Sequence, residues 1–248
     1  MATFATYYDT SGTGKSPLMV TVGLLGSERR WLSFEEKWRK MLVEFKVPYI
    51  HMKELTPNKP PFDRFLTRTA DKKRLFQRCL SICRSATVFA MAVDVKDYDE
   101  VNDHFQLGEV LGAPFALCVG TCVDWADQWH RNQHPQQPIE HFHEDGDGRR
   151  GNIVMILKNE NKLTLHFKPK VDPTTRVWFV PFQATDFLAW ELRRGASDVG
   201  AGKRGTQLRR SFVAIIDKQR MHKKWKYIDK DVLLRACKRF PEKYPPRT

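Results

Sequence analysis

The sequence predicts an α/β domain, a mixed sheet with helices packed on it, and three observations carry that reading. Short alternating strand segments come first in the chain, and long amphipathic helical segments then alternate with further strands. The chain has 248 residues and is 41% hydrophobic, enough for one sizeable core rather than two small ones. No run of 18 apolar residues occurs, so nothing in it reads as a membrane span.

The elements follow in order. Phe4, Thr6 and Tyr8 alternate with Ala5, Tyr7 and Asp9, a strand over 3–9. Ser11-Gly12-Thr13-Gly14 turns the chain, and 18–25 reads as an antiparallel partner. Ser33 and Glu36 fit a capping box, opening a helix with Phe34, Trp38, Met41, Leu42 and Phe45 on one face. Pro48 ends it, 49–52 is extended, and the three prolines of 56–69 make a loop. A helix over 71–84 leads to a strand over 88–95, and Pro114 opens a helix broken at 134–138. A strand over 139–143 follows, then short apolar segments at 153–157 and 163–167. Further on come a strand over 177–180 and a helix over 183–194 that Gly195 stops. A flexible glycine-rich stretch covers 196–205, 212–216 reads as a late strand and 231–240 as a last helix. An early hairpin followed by β-α units fits a ribonuclease H-like layout over 1–195, with a basic C-terminal extension over 196–248 packed on or beside it.

Charge separates these two parts. The formal net charge is +13, and from Lys203 onward 15 Lys and Arg stand against only Asp217, Asp229, Asp231 and Glu242. Such a concentration attracts polyanions. Trp225 and Tyr227 interleave with Lys223, Lys224 and Lys226, a pattern that lets rings stack on unpaired bases. Five cysteines and no export signal at the N-terminus point to a cytoplasmic chain without disulfides. Cys79/Cys83 and Cys118/Cys122, each spaced i, i+4, read as buried core thiols; a zinc site shared by two helices is the alternative.

Gly12-Thr13-Gly14-Lys15-Ser16 looks like the end of a phosphate-binding loop. Asp9 stands where that pattern needs glycine, however, and the context is strand-turn-strand. Asp9 is the better clue, a carboxylate closing a central strand where a divalent ion could bind. A second acidic group ends the 139–143 strand, with His141 and His143 on one face, Asp145 continuing that side and Glu144 opposite. The third is Asp186, which shares a helix face with Phe182, Ala189 and Trp190 and needs a neutralising partner there. Thr185 as an N-cap is the alternative explanation of that acid. Three acids, one per strand end or helix start, suit two-metal phosphodiester chemistry.

These residues resemble the markers of an uncharacterised bacterial and phage family, the domain of unknown function 3800, regarded as ribonuclease H-like. Its members open on a Tyr-Ile-Asp-Glu-Ser-Gly-like strand end, continue to a Phe-His-X-Lys-Glu-like element and close on an acid in a Gln-X-Ala-Asp-type helix. The chain offers Tyr8-Asp9-Thr10-Ser11-Gly12, then Ile50-His51-Met52-Lys53-Glu54-Leu55, then Gln183-Ala184-Thr185-Asp186, over roughly 5–195. The resemblance implies Asp9 and Asp186 as metal ligands and His51 and Lys53 as phosphate contacts. Glu54 would be a further acid or a cap for the following loop, and Glu144 and Asp145 would fill the strand-end position. Thr10 stands where the family usually carries Glu, which removes one ligand, and Thr185 is inserted before Asp186.

The leading expectation is a nuclease dependent on Mg²⁺ or Mn²⁺, acting on DNA or RNA. Asp9, Glu144 or Asp145, and Asp186 would hold the metal, and Lys223, Lys224, Trp225 and Lys226 would track the backbone. The alternative is a non-catalytic nucleic-acid-binding or regulatory protein of a mobile element or defence system. A scaffold binding a partner protein through aromatic surface is a third reading. No membrane partner is expected, and a homo-oligomer is compatible with the sequence.

Overall fold

The computed structural model describes residues 3–12, 16–145, 165–216 and 223–246. Strand β1 (Phe4–Ser11) pairs antiparallel with β2 (Leu18–Ser27), and β2 with β3 (Thr87–Asp94). Parallel to β1 lies β4 (Ile139–Glu144), and parallel to β4 lies β5 (Leu165–Lys168). With β6 (Lys223–Ile228) the order is β5-β4-β1-β2-β3-β6. An antiparallel β1-β2-β3 meander flanked on the β1 side by parallel strands is the expected ribonuclease H-like arrangement. It is a mixed α/β sheet with helices on both faces.

The two faces bury two separate cores. On one lie α1 (Glu28–Glu44), α3 (Thr69–Cys83) and α7 (Val180–Gly200); on the other lie α4 (Val95–His104), α6 (Pro114–Gln133) and α9 (Lys230–Arg239). Short helices α2 (Met52–Leu55), α5 (Leu107–Leu111) and α8 (Arg210–Ile216) fill the connections. Strand β2 is covered on both sides, so Leu-Met-Val-Thr-Val-Gly-Leu-Leu is an unbroken buried run rather than an alternating one. In β1 the alternation survives and sorts the site. Phe4 and Tyr8 face the α6 core, while Ala5 and Tyr7 face the α7 core, which puts Asp9 on the α7 side.

Several sequence expectations change. Helix α1 begins at Glu28, five residues before Ser33, because Glu28 N–H donates to Thr3 O and the Trp31 indole donates to Ala5 O. The capping box is therefore helix interior. Residues 177–180 form no strand beyond a single bridge from Trp178 to Val171. The segment 212–216 is helical, within α8, and 95–104 is a helix whose N-cap Asp94 accepts from Asp97 N–H. The apolar segment at 163–167 appears as β5, while 153–157 lies outside the described residues. Cys79/Cys83 and Cys118/Cys122 sit in opposite cores with the sheet between them, so no zinc can join the pairs.

Gly195 does not stop its helix, and α7 runs through it to Gly200. Its role is close approach, because a Cβ there would lie 1.9 Å from the buried Phe212 ring of α8. At an open helix position Gly→Ala stabilises by about 1 kcal/mol. Here the sign should reverse. Gly195→Ala is expected to lower stability in urea unfolding by about 1–3 kcal/mol through overpacking, and a gain would show that α8 yields freely.

A cluster of buried histidines joins β1, β4 and α6. Tyr8 Oη lies 2.9 Å from His141 Nδ1, and the Nε2 atoms of His141 and His130 are buried without a hydrogen-bond partner among the described residues. Burial first, then the charges of His130 and His166, push the His141 imidazole down to about 4; burial and His134 lower His130, opposed by Asp127. The folded pKa lies below the unfolded value, so stability is full above about pH 6.5 and declines as pH falls toward 4. Glu144 and Asp186 carry raised pKa values and slope the opposite way, so the histidine contribution must be read by difference. Unfolding of wild type and His141→Asn between about pH 7 and 4.5 should show a wild-type loss larger by about 2 kcal/mol. Parallel curves would sink the assignment.

Candidate active site

At the carboxyl end of β1 and β4 the sheet opens into a cleft of about 610 Å³. Its walls include Asp9, Ser11, His51, Lys53, Glu144, Lys170, Asp186 and Arg193. The parallel pairing of β1 with β4 aligns their ends, which brings the buried Asp9 and the part-buried Glu144 together. Helix α7 crosses the same face and supplies Asp186 from among buried Phe182, Ala189 and Trp190, the apolar stripe its spacing predicts. Thr185 is not an N-cap. Its hydroxyl donates to the Pro181 and Phe182 carbonyls inside the helix.

What neutralises these acids is a residue the sequence reading missed. Lys170, just past β5, places Nζ 3.3 Å from Asp9 Oδ2, 3.1 Å from Glu144 Oε2 and 3.9 Å from Asp186 Oδ2. Burial alone would lower the pKa of that ammonium, but Asp9, Asp186 and Glu144 outweigh it and hold the pKa above the ordinary lysine value. One positive charge does not satisfy three acids. Burial and the neighbouring Asp9 charge push Glu144 up to about 8 despite Lys170. Burial likewise raises Asp186 to about 6, against the pull of Lys170 and the Met52 N–H. Among the described residues no group of three His, Cys, Asp or Glu takes up a metal-ligand arrangement, since the carboxylates converge on an ammonium.

The two other motifs meet through backbone hydrogen bonds. Gln183 Oε1 accepts from Ile50 N–H at 2.7 Å and from the Trp38 indole at 3.2 Å, and Asp186 Oδ2 accepts from Met52 N–H at 2.9 Å. Two side chains one helical turn apart thus pin alternate residues of the 50–52 stretch, and His51 between them lines the cleft. Glu54 does not join the acids. It accepts from Tyr49 Oη at 2.7 Å and lies 3.4 Å from His51 Nδ1, without a hydrogen bond between them. Lys53 is exposed at the rim.

Asp145 is exposed, and its backbone N–H is spent on Lys168 O. The strand pleat therefore selects Glu144. Asp147 lies outside the described residues. Thr10 bonds Thr21 Oγ1 at 2.8 Å, and its N–H donates to Asp9 Oδ1 at 2.7 Å.

The basic C-terminal strand goes elsewhere. Strand β6 occupies the sheet edge beyond β3, three strands from β1 or about 14 Å. Trp225 is half-buried and packs edge-on against Phe212, so its ring is committed to the core rather than free to stack on a base. Lys226 is exposed on that far edge, and the side chains of Lys223 and Lys224 lie outside the description. No helix among the described residues is long and apolar enough to cross a membrane.

Comparison with protein-family models and with curated proteins returns no match. Among solved structures the chain is similar to "Crystal structure of Bst-RNase HIII in complex with Mn2+". The identity is 13% and the TM-score 0.47, over 95% of this chain and 70% of that one.

Proposed function

We propose that the protein is a divalent-metal-dependent nuclease. The observation that carries this reading is an under-neutralised acidic centre. Asp9, Glu144 and Asp186 converge in a cleft, and two of them stay well above ordinary carboxyl pKa values although Lys170 touches all three. Carboxylate oxygens are the hard donors that Mg²⁺ or Mn²⁺ takes, and a cation entering here would displace the Lys170 ammonium from them and the proton that the raised pKa of Glu144 retains. These three side chains would hold the cation, which in such a site supplies Lewis-acid polarisation of a phosphoryl group. His51 and Lys53 would face the substrate from the cleft wall. Lys170 holds the carboxylates in place, and its ammonium lies where positive charge is wanted beside an anionic substrate.

The same residues carry the resemblance to the domain of unknown function 3800, and membership of that family is part of this proposal. The test is cleavage of labelled single-stranded DNA, duplex DNA and RNA with Mg²⁺, Mn²⁺ or EDTA, using wild type and Asp9→Asn. Metal-dependent cutting that the variant lacks supports the reading. Salt-sensitive binding without cutting would favour a non-catalytic nucleic-acid-binding protein.

A further inference from the structure

The cleft contains a second charged group that the acidic centre does not use. Arg193 lies seven residues after Asp186 on α7, on the same helix face and about 10 Å further along the axis. Its Nε donates to Ser11 Oγ at 3.0 Å and one terminal nitrogen lies 3.4 Å from Ser16 Oγ. Among the described residues no carboxylate pairs with it. Burial first, and then the neighbouring Arg194, disfavour its charge. A half-buried guanidinium held, among the described residues, only by hydroxyls inside an open cleft keeps donors free for a bidentate anion.

The sequence around it is built for close approach. Gly12 sits at φ 96°, and a Cβ there would meet Leu18 O at 2.0 Å and Arg193 Cδ at 3.2 Å. Gly12 and Ser16 bound the stretch 12–16 that resembles the close of a phosphate-binding loop, and Ser11 immediately precedes it, with β1 before and β2 after. An arginine from α7, rather than a helix N-terminus, reaches Ser11 and Ser16.

We propose that Arg193, braced by Ser11 and Ser16, is a phosphate seat beside the carboxylate centre, and that it binds the backbone of a polynucleotide. Ser11 lies two strand residues past Asp9, about 7 Å further along β1. The seated anion therefore lies beyond the acids, and a chain with several phosphates reaches both places. This deepens the nuclease reading and rests on it for the neighbouring centre.

The test is equilibrium binding of a fluorescein-labelled single-stranded oligothymidylate in EDTA over a range of salt, followed by anisotropy. Cleavage does not enter. Arg193→Gln should weaken binding about 10- to 100-fold and reduce the salt slope by about one. Lys37→Gln, an equal loss of charge on the exposed face of α1, should change affinity less than about 2-fold. Arg193→Lys should bind more weakly than wild type with an unchanged slope, because an ammonium cannot fork across a phosphate. If Arg193→Gln binds as Lys37→Gln does, the arginine is only a brace and the proposal fails. If Arg193→Gln does not fold, Arg193→Lys binding as tightly as wild type overturns the fork. Wild-type cleavage with unaltered Arg193→Gln binding would keep the nuclease and discard the seat. Weakened binding in a protein that never cuts would do the reverse.

Discussion

Asp9→Asn and Asp186→Asn are each expected to abolish metal-dependent cleavage, by at least about 100-fold, while leaving the fold intact. Loss of an outer partner of a metal ligand already costs about 10- to 100-fold, so loss of a ligand sets a higher floor. The amide is the right probe because both acids have structural duties that it preserves. Asp9 accepts from Thr10 N–H and Asp186 from Met52 N–H, and an Asn carbonyl can accept in both places. An Ala variant would confound a lost ligand with a released loop. The measurement is the single-turnover rate on the best oligonucleotide substrate, with unfolding midpoints recorded in parallel. Full activity in either variant would end the hydrolytic reading.

Lys170→Met should be the most destabilising single change in the cleft. It removes the ammonium within 4 Å of three carboxylates that are largely shielded from water. Leaving buried charges without their partner costs about 3–5 kcal/mol, equivalent to about 6–20 °C in melting temperature for a chain of this size. The acids would then stand as a cluster with no internal counter-charge. Mg²⁺ or Mn²⁺ should raise the melting temperature of Lys170→Met more than that of wild type, by the linkage that ties binding to stability. A variant as stable as wild type in EDTA would show that Lys170 does not neutralise the cluster. A normal loss of stability that divalent ions leave untouched would count against the metal site alone.

Periodicity placed β1, β2, β3, β4 and the long helices, because burial on one or two faces writes itself into the order of apolar residues. Asp9, the pair Glu144 and Asp145, and Asp186 stood out because each is an acid at a strand end or on an apolar helix stripe, and for Asp186 the local sequence already implies a cost that something must offset. Boundaries were less legible. Ser33 mimics a cap but lies inside α1, since a backbone contact from Thr3 starts the helix earlier, and Gly195 mimics a stop although α8 packs against it.

The sequence by itself determined the layered α/β plan and singled out Asp9, Asp186 and the acidic end of the 139–143 strand. Only the tertiary structure decided that Glu144 rather than Asp145 meets Asp9, and that Glu54 pairs with Tyr49 instead of joining the acids. It likewise placed the basic strand β6 at the sheet edge beyond β3. Lys170 and Arg193 carried no local mark, being two basic residues in a chain rich in them. Their charge acquires meaning from strand pairing and helix crossing, which bring an ammonium and a guanidinium to one cleft from distant parts of the chain. Coulomb forces act through space and depend on burial, whereas a sequence pattern records only which face of its own element a residue occupies.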